Sequence, residues 1–289
     1  MKPGHLLAAV LLASAAGPAF AQQLTAQGLV ERNLEARGGA AALESVKSIR
    51  FKGKIIFPGD FELSYDEIRA SGGPGGAQSR MEGSIQGLTY MQGYDGRSAW
   101  RVNPFQGRRD AEKMSADEVR SMADSSLIQG VLLAARGDGS SIAYLGREDF
   151  DGTPAYKLQV KQKDGDEFTY LLDPDTFLEI KIVETRRIRG AEQTTETELG
   201  DYEKIAGVYF PMSVENWPQG RPNSRQRVII ETAEANPPVN PALFAEPAAP
   251  ARPAPAQAPG ASMTAPDRES DKADPDKPVE APAEPPRGE

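Results

Sequence analysis

Polar and apolar residues alternate along three stretches of this chain, and each stretch folds back about an Asp-Gly step. Alternation marks strands with one buried face, and Asp-Gly between two such runs marks a hairpin. In Leu88-Thr-Tyr-Met-Gln-Gly-Tyr-Asp-Gly-Arg-Ser-Ala-Trp-Arg-Val102 the length of the turn decides what is buried. A two-residue turn sets Tyr90 opposite Arg101, apolar beside charged. A three-residue turn at Tyr94-Asp95-Gly96 sets Tyr90 opposite Trp100 and Leu88 opposite Val102, with Gly96 in the left-handed position that glycine tolerates best. A slip of one residue turns every side chain to the other face, so the longer turn is the expectation.

The same arithmetic at Lys163-Asp164-Gly165 pairs Val160 with Phe168, Leu158 with Tyr170 and Tyr156 with Leu172. At Phe150-Asp151-Gly152 it pairs Tyr144 with Leu158 and Ile142 with Val160. Earlier, Ile49, Phe51, Gly53, Ile55 and Phe57 share one face of a strand whose other face carries Arg50, Lys52 and Lys54. After the turn at Pro58-Gly59-Asp60, the residues Phe61, Leu63 and Tyr65 continue the apolar face. Further strands run from Ser141 to about Thr232, with turns at Pro174-Asp175, Arg189-Gly190 and Ala206-Gly207. Together these predict a mainly β protein: one strongly curved antiparallel sheet of about ten or eleven strands with a single apolar side.

Two helical periods interrupt the strands. Thr25 is placed to cap a helix over 24–37, stopped by Gly38-Gly39, and a short helix over 40–46 follows. Ser115-Ala-Asp-Glu118 is a capping box that opens a helix over 115–136, with Val119, Met122, Ala123, Leu127, Val131 and Ala134 on one stripe. That stripe must be buried, and the apolar side of the sheet is its target. It serves either as a fixed core helix or as a movable lid. The run Ser71-Gly-Gly-Pro-Gly-Gly76 reads as a loop; it lacks the Gly-Lys-Ser/Thr ending of a phosphate loop.

Composition narrows the function. Lys2, an apolar run from Leu6 to Ala16 and Ala19-Phe-Ala21 form a secretory leader with cleavage between Ala21 and Gln22. The run is too short to span a membrane. The expected organisation is a leader over 1–21, a folded domain over 22–247 and a disordered Pro/Ala-rich acidic tail over 248–289, too poor in large apolar residues to fold. That tail is inert, or it binds a partner in the envelope. The 289 residues include no cysteine, and the single histidine, His5, sits in the leader. Ser-His-Asp and Cys-His nucleophilic sites and the common zinc sites are thereby excluded. The net charge of −9 argues against nucleic acid. The small cluster Arg186, Arg187 and Arg189 reads as the solvated end of a strand, or as a contact for anionic headgroups. Carboxylates such as Asp60, Glu62, Glu148, Asp149 and Asp151 fall at turns or on the polar strand face, so no enzyme and no cofactor are expected.

Asp95-Gly-Arg-Ser-Ala-Trp-Arg-Val-Asn-Pro-Phe105 resembles a hairpin of the LolA-like outer-membrane lipoprotein-sorting proteins. Further matching pieces are Ala36-Arg-Gly-Gly39, Asp151-Gly-Thr-Pro-Ala-Tyr-Lys-Leu158 and Leu172-Asp-Pro-Asp-Thr-Phe-Leu178. Asp201-Tyr-Glu-Lys-Ile-Ala-Gly-Val-Tyr-Phe-Pro211 and Asn236-Pro-Pro-Val-Asn-Pro-Ala-Leu-Phe244 complete the set. The resemblance implies an incomplete β-barrel closed by helices around an apolar cavity for acyl chains. It also implies a periplasmic monomer that takes lipoproteins from an inner-membrane transporter to an outer-membrane receptor. In that family an arginine before a proline on an early strand helps hold the lid; the nearest position here is Arg69, followed by Ala70.

The candidate cavity lining is drawn from the apolar side of the sheet and the helix stripe. From the first half come Phe51, Ile55, Leu63, Tyr65, Leu88, Tyr90, Trp100 and Val102. The stripe supplies Val119, Met122 and Leu127, and the second half supplies Tyr144, Leu158, Val160, Phe168 and Tyr170. The leading function is a periplasmic carrier of lipoprotein acyl chains or another lipid. The alternative is a lipid- or peptide-sensing scaffold of the RseB type on the same fold. The same side chains fill a solid core equally well in the sequence.

Overall fold

A computed structural model describes residues 24–248; the expected leader and residues 249–289 lie outside the described residues. The first meander holds β1 (Ser48–Phe57), β2 (Phe61–Ser71), β3 (Ala77–Ile85), β4 (Leu88–Tyr94), β5 (Ala99–Val102) and β6 (Glu112–Lys113). The second holds β7 (Ser141–Phe150), β8 (Thr153–Lys161), β9 (Glu167–Leu172) and β10 (Glu179–Ile188). It ends with β11 (Ala191–Ile205), β12 (Val208–Pro218) and β13 (Gln226–Ala235). Every strand pairs with its sequence neighbour, except that β1 also pairs with β13 and so joins the two meanders into one sheet. The sheet is open, with β6 and β7 at its edges. It is the expected mainly β architecture with thirteen described strands; β6, at two residues, is too short for alternation to show.

Among the described residues, four α-helices accompany the sheet: α1 (Ala26–Ala36), α2 (Ala40–Ser45), α3 (Ala116–Ser125) and α4 (Val131–Ala134). The Thr25 hydroxyl accepts from the Gly28 amide to start α1, and the Ser115/Glu118 box starts α3. The single helix expected over 115–136 is broken. Residues 127–130 leave the helix, and Gly130 at φ 79° turns the chain so that α4 begins on a new axis.

α3 measures the curvature. It touches β3 through Ser126, whose hydroxyl lies 2.7 Å from that of Ser79, and β10 through Asp124, 2.8 Å from Arg186. Those two strands stand six places apart in the sheet. On a flat sheet six strand spacings span roughly 29 Å. A helix with its side chains is only about 10–12 Å wide. The sheet must therefore wrap around α3.

The hairpins show how register is set. β8 and β9 pair as the sequence predicts, Val160 with Phe168, Leu158 with Tyr170 and Tyr156 with Leu172. At the β7–β8 turn the expected pairs Tyr144–Leu158 and Ile142–Val160 form, but by another route. The turn has two residues, Asp151 and Gly152, both at positive φ, and a bulge between Tyr144 and Arg147 restores the register.

The β4–β5 hairpin departs from expectation. Its loop has four residues, so Gly93 faces Trp100 and Met91 faces Val102. The Asp95 carboxylate accepts from the amides of Arg97 and Ser98 and so stabilises the longer loop. Gly93 makes the register possible: a Cβ there would lie 2.6 Å from the Trp100 ring. The odd shift puts Trp100 and Val102 on the face opposite Tyr90. Trp100 is nevertheless 1% exposed, because the segment after β13 crosses the outer face. Phe244 packs there against Ile68 and Ala70, and its carbonyl accepts from Trp100 Nε1 at 2.8 Å. This part of the sheet is apolar on both sides.

Candidate functional site

The concave face is covered unevenly. Over β7–β9, α1 and α4 pack with Leu158, Val160, Phe168, Tyr170 and Leu172 in one apolar cluster, and of these strand residues only Phe168 and Tyr170 also reach the cavity. Over β1 and β10–β13 the side chains shrink or turn polar: Ile182, Leu199, Val214, Val228, Thr197 and Asn216. There the helices bridge across the sheet instead of resting on it, and a cavity of about 400 Å³ opens. That falls within the roughly 300–1,000 Å³ range of small-molecule sites. Leu127, Ile128, Val131 and Leu132 form its roof, and Phe51, Tyr65, Phe210 and Ile230 are among its floor and walls.

Three arginines line this cavity, and their surroundings differ. Arg37 follows α1; its Nε donates to the Tyr209 carbonyl at 2.8 Å and its Nη1 pairs with Glu179 at 3.3 Å. Arg186 of β10 pairs with Asp124 of α3, Asp166 and Glu184. Burial alone would lower its pKa, but Glu184 and Asp124 outweigh that and raise it. Burial pushes Asp166 up against the pull of Arg186. Arg69 of β2 pairs with Glu67 two residues earlier on the same strand, at 2.8 Å, and Glu67 also accepts from the Tyr65 hydroxyl at 2.6 Å. The buried Tyr65 phenol titrates well above its usual range, through burial first and the Glu67 charge second. Arg69 Nε has no partner, and 29% of the side chain remains open.

Of the sixteen lining residues expected from sequence, Phe51, Tyr65, Leu127, Phe168 and Tyr170 wall the cavity. Leu158, Val160 and Tyr144 belong to the packed core under α1 and α4. Val119 and Met122 pack α3 onto Tyr94 and Ala99. Ile55 and Leu63 face the concave side as a buried cross-strand pair, away from the cavity wall. Leu88 and Tyr90 also point to the concave side, but Leu88 ends a hairpin tip and is 38% exposed, while Tyr90 bonds Gln92. Trp100 and Val102 are on the outer face, for the register reason above. Arg69 lines the cavity without holding a helix: its ion pair stays within β2. The most buried charged tie between α3 and the sheet is that of Arg186 to Asp124; the arginine, expected as a solvated strand end or a headgroup contact, is buried. Its only sequence signal is a basic residue two positions from Glu184 on an alternating strand.

No protein-family model matches the sequence, and no curated protein matches it either. Solved structures do match in shape. A DUF1329 family protein from Desulfovibrio piger superposes with a TM-score of 0.54 at 12% identity, over 76% of this chain and 97% of that one. A LolA superfamily protein from Nitrosomonas europaea gives 0.51 at 14% identity, over 77% and 98%. A putative outer membrane lipoprotein-sorting protein domain from Vibrio parahaemolyticus gives 0.51 at 10% identity, over 74% and 95%. At such identities the likeness concerns backbone shape alone: this chain has a LolA-like fold.

Proposed function

We propose that this protein is a carrier of the bacterial periplasm that shelters an acyl chain in the cavity between its concave face and α3–α4. The observation behind the reading is the cavity itself: about 400 Å³, its walls mainly aliphatic and aromatic with charged side chains among them, where a solid core would have left none. A chain of a dozen methylenes gains about 10 kcal/mol on leaving water, at about 0.8 kcal/mol each. Such a gain holds a lipid in transit without a covalent bond. The leader expected from sequence and the LolA-like fold support an envelope location and transfer toward the outer membrane. Lipoprotein acyl chains or another lipid are the cargo in this reading, and a transporter and a receptor at the two membranes are its partners. No catalytic step is assigned.

Native mass spectrometry of the protein purified from the periplasm tests it. The expected spectrum carries one lipid adduct, and a stripped sample regains mass with a fluorescent acyl probe. A bare protein that takes up no probe contradicts the proposal.

A further inference from the structure

Among the three arginines lining the cavity, two are spent. Arg186 faces three carboxylates, and its side chain is 4% exposed. Arg37 uses Nε and Nη1 on Tyr209 and Glu179, stacks over Phe210, and is 7% exposed. Neither has room for another anion. Arg69 differs in three ways. It has a single carboxylate partner, its buried Nε has none, and its side chain, which lines the cavity, is 29% open. A buried donor without an acceptor costs roughly 1–3 kcal/mol. The unpaired Nε itself is buried, so an incoming acceptor meets the open part of the guanidinium, whose charge only one carboxylate offsets.

The position of Arg69 matters as much as its valence. Its guanidinium stands 5.8 Å from the Phe51 ring centroid, and Phe51 meets Phe210 edge-on at 5.7 Å. Both rings wall the apolar part of the cavity. The charged and greasy surfaces thus adjoin at Phe51, which suits a molecule with one anionic end and one hydrocarbon end. Capacity sets the number of chains. If a methylene fills about the 30 Å³ that a water molecule takes in the liquid, a cavity of about 400 Å³ takes one chain of roughly a dozen carbons, not two or three.

We infer that the cavity takes a single-chain amphiphile with an anionic oxygen head, a carboxylate or a phosphate, whose head bonds Arg69 and whose chain lies along Phe51 and Phe210 toward Val214 and Val228. The inference rests on the acyl-carrier reading and adds to it the head chemistry and the chain number. Glu67 is the competing acceptor. It holds Arg69 in place, accepts from Tyr65 and limits the affinity for an incoming anion.

The test measures displacement of a neutral fluorescent acyl probe by tetradecanoate, methyl tetradecanoate and tetradecyl phosphate, all with chains of fourteen carbons. The acid and the phosphate are expected to bind about ten-fold or more tightly than the ester, the worth of a charge-assisted bond. Arg69→Met leaves Glu67 buried beside Tyr65 alone and endangers the fold, so the double variant Glu67→Gln/Arg69→Met is used. It is expected to keep the ester affinity and lose the preference for anions. Glu67→Gln alone is expected to raise the affinity for the acid, which a purely structural ion pair would not do. A stronger response to the acid than to the phosphate assigns a fatty acid head, and the reverse the phosphate head of a single-chain lipid. Equal binding of acid and ester by the native protein, or a preference that survives in the double variant, overturns the inference and leaves the carrier reading standing. Failure of every ligand, the ester included, overturns the carrier reading and the inference with it.

Discussion

The two helices that roof the concave face are held down by different forces. α4 lies on β8 and β9 through Val131, Leu132 and Leu133, all buried in one continuous apolar cluster. α3 buries only Met122 fully, with Val119 and Ala123 packed beside it on Tyr94 and Ala99. Its other attachments are polar: Asp124 to Arg186 and Gln162, Glu118 to Arg101, Asp117 to the Arg189 amide, and Arg120 to Asp164 at 3.4 Å. Apolar contact is indifferent to pH and salt and fails only with the core. A row of charges responds to both. The cavity lies between these two covers, and it is α3 that solution conditions can loosen.

Removing Arg186 is the harshest way to break the contrast. Arg186→Met strands Asp124, Asp166 and Glu184 in a buried site, and about 3–5 kcal/mol of stability should be lost in urea unfolding. Adding Asp124→Asn to it should return part of that loss, because one uncompensated acid is gone. Leu132→Ala tests the other cover. About 3 kcal/mol should disappear, and the loss should be the same in low and high salt.

Acid should separate the two helices more gently. Burial opposes ionisation of Glu118, but bonds from Ser115 and the Arg101 guanidinium outweigh it and hold its pKa at about 2. A carboxylate lowered in the folded state contributes stability above its unfolded value, near 4.5, and loses it as pH falls toward 2. About 1–2 kcal/mol is at stake after allowance for solvent screening. Hydrogen exchange should quicken in α3 across that window, and α4 should stay protected. The smallest effect is that of salt at neutral pH. One molar sodium chloride should cost α3 less than about 0.5 kcal/mol through exposed pairs such as Arg120–Asp164, and should cost α4 nothing.

What the sequence disclosed divides along the same physical line. The β8–β9 register was legible because Gly165 fixes a short turn and both strands bury one face only. The start of α3 was legible because a capping box is local. The β4–β5 register was not, for two reasons. The Asp95 carboxylate bonds two amides and lengthens the loop, and the apolar patch of Trp100 and Val102 is covered by Phe244, 144 residues from Trp100. With both faces buried, alternation carries no sign. The break after α3 came down to Gly130, one glycine in an apolar run. The cavity itself is a matter of subtraction. It exists because Ile182, Leu199 and Val214 are too small to reach α3, and that depends on a curvature the pattern does not encode.

Filling that space is the most direct test of the account. Val214→Phe adds a ring to the cavity wall while leaving every ion pair and hydrogen bond described above in place. The native protein should bind one equivalent of a fluorescent acyl probe, and the variant, folded by circular dichroism, should bind it at least ten-fold more weakly. Unchanged probe affinity in the folded variant would show that the chain does not enter this cavity.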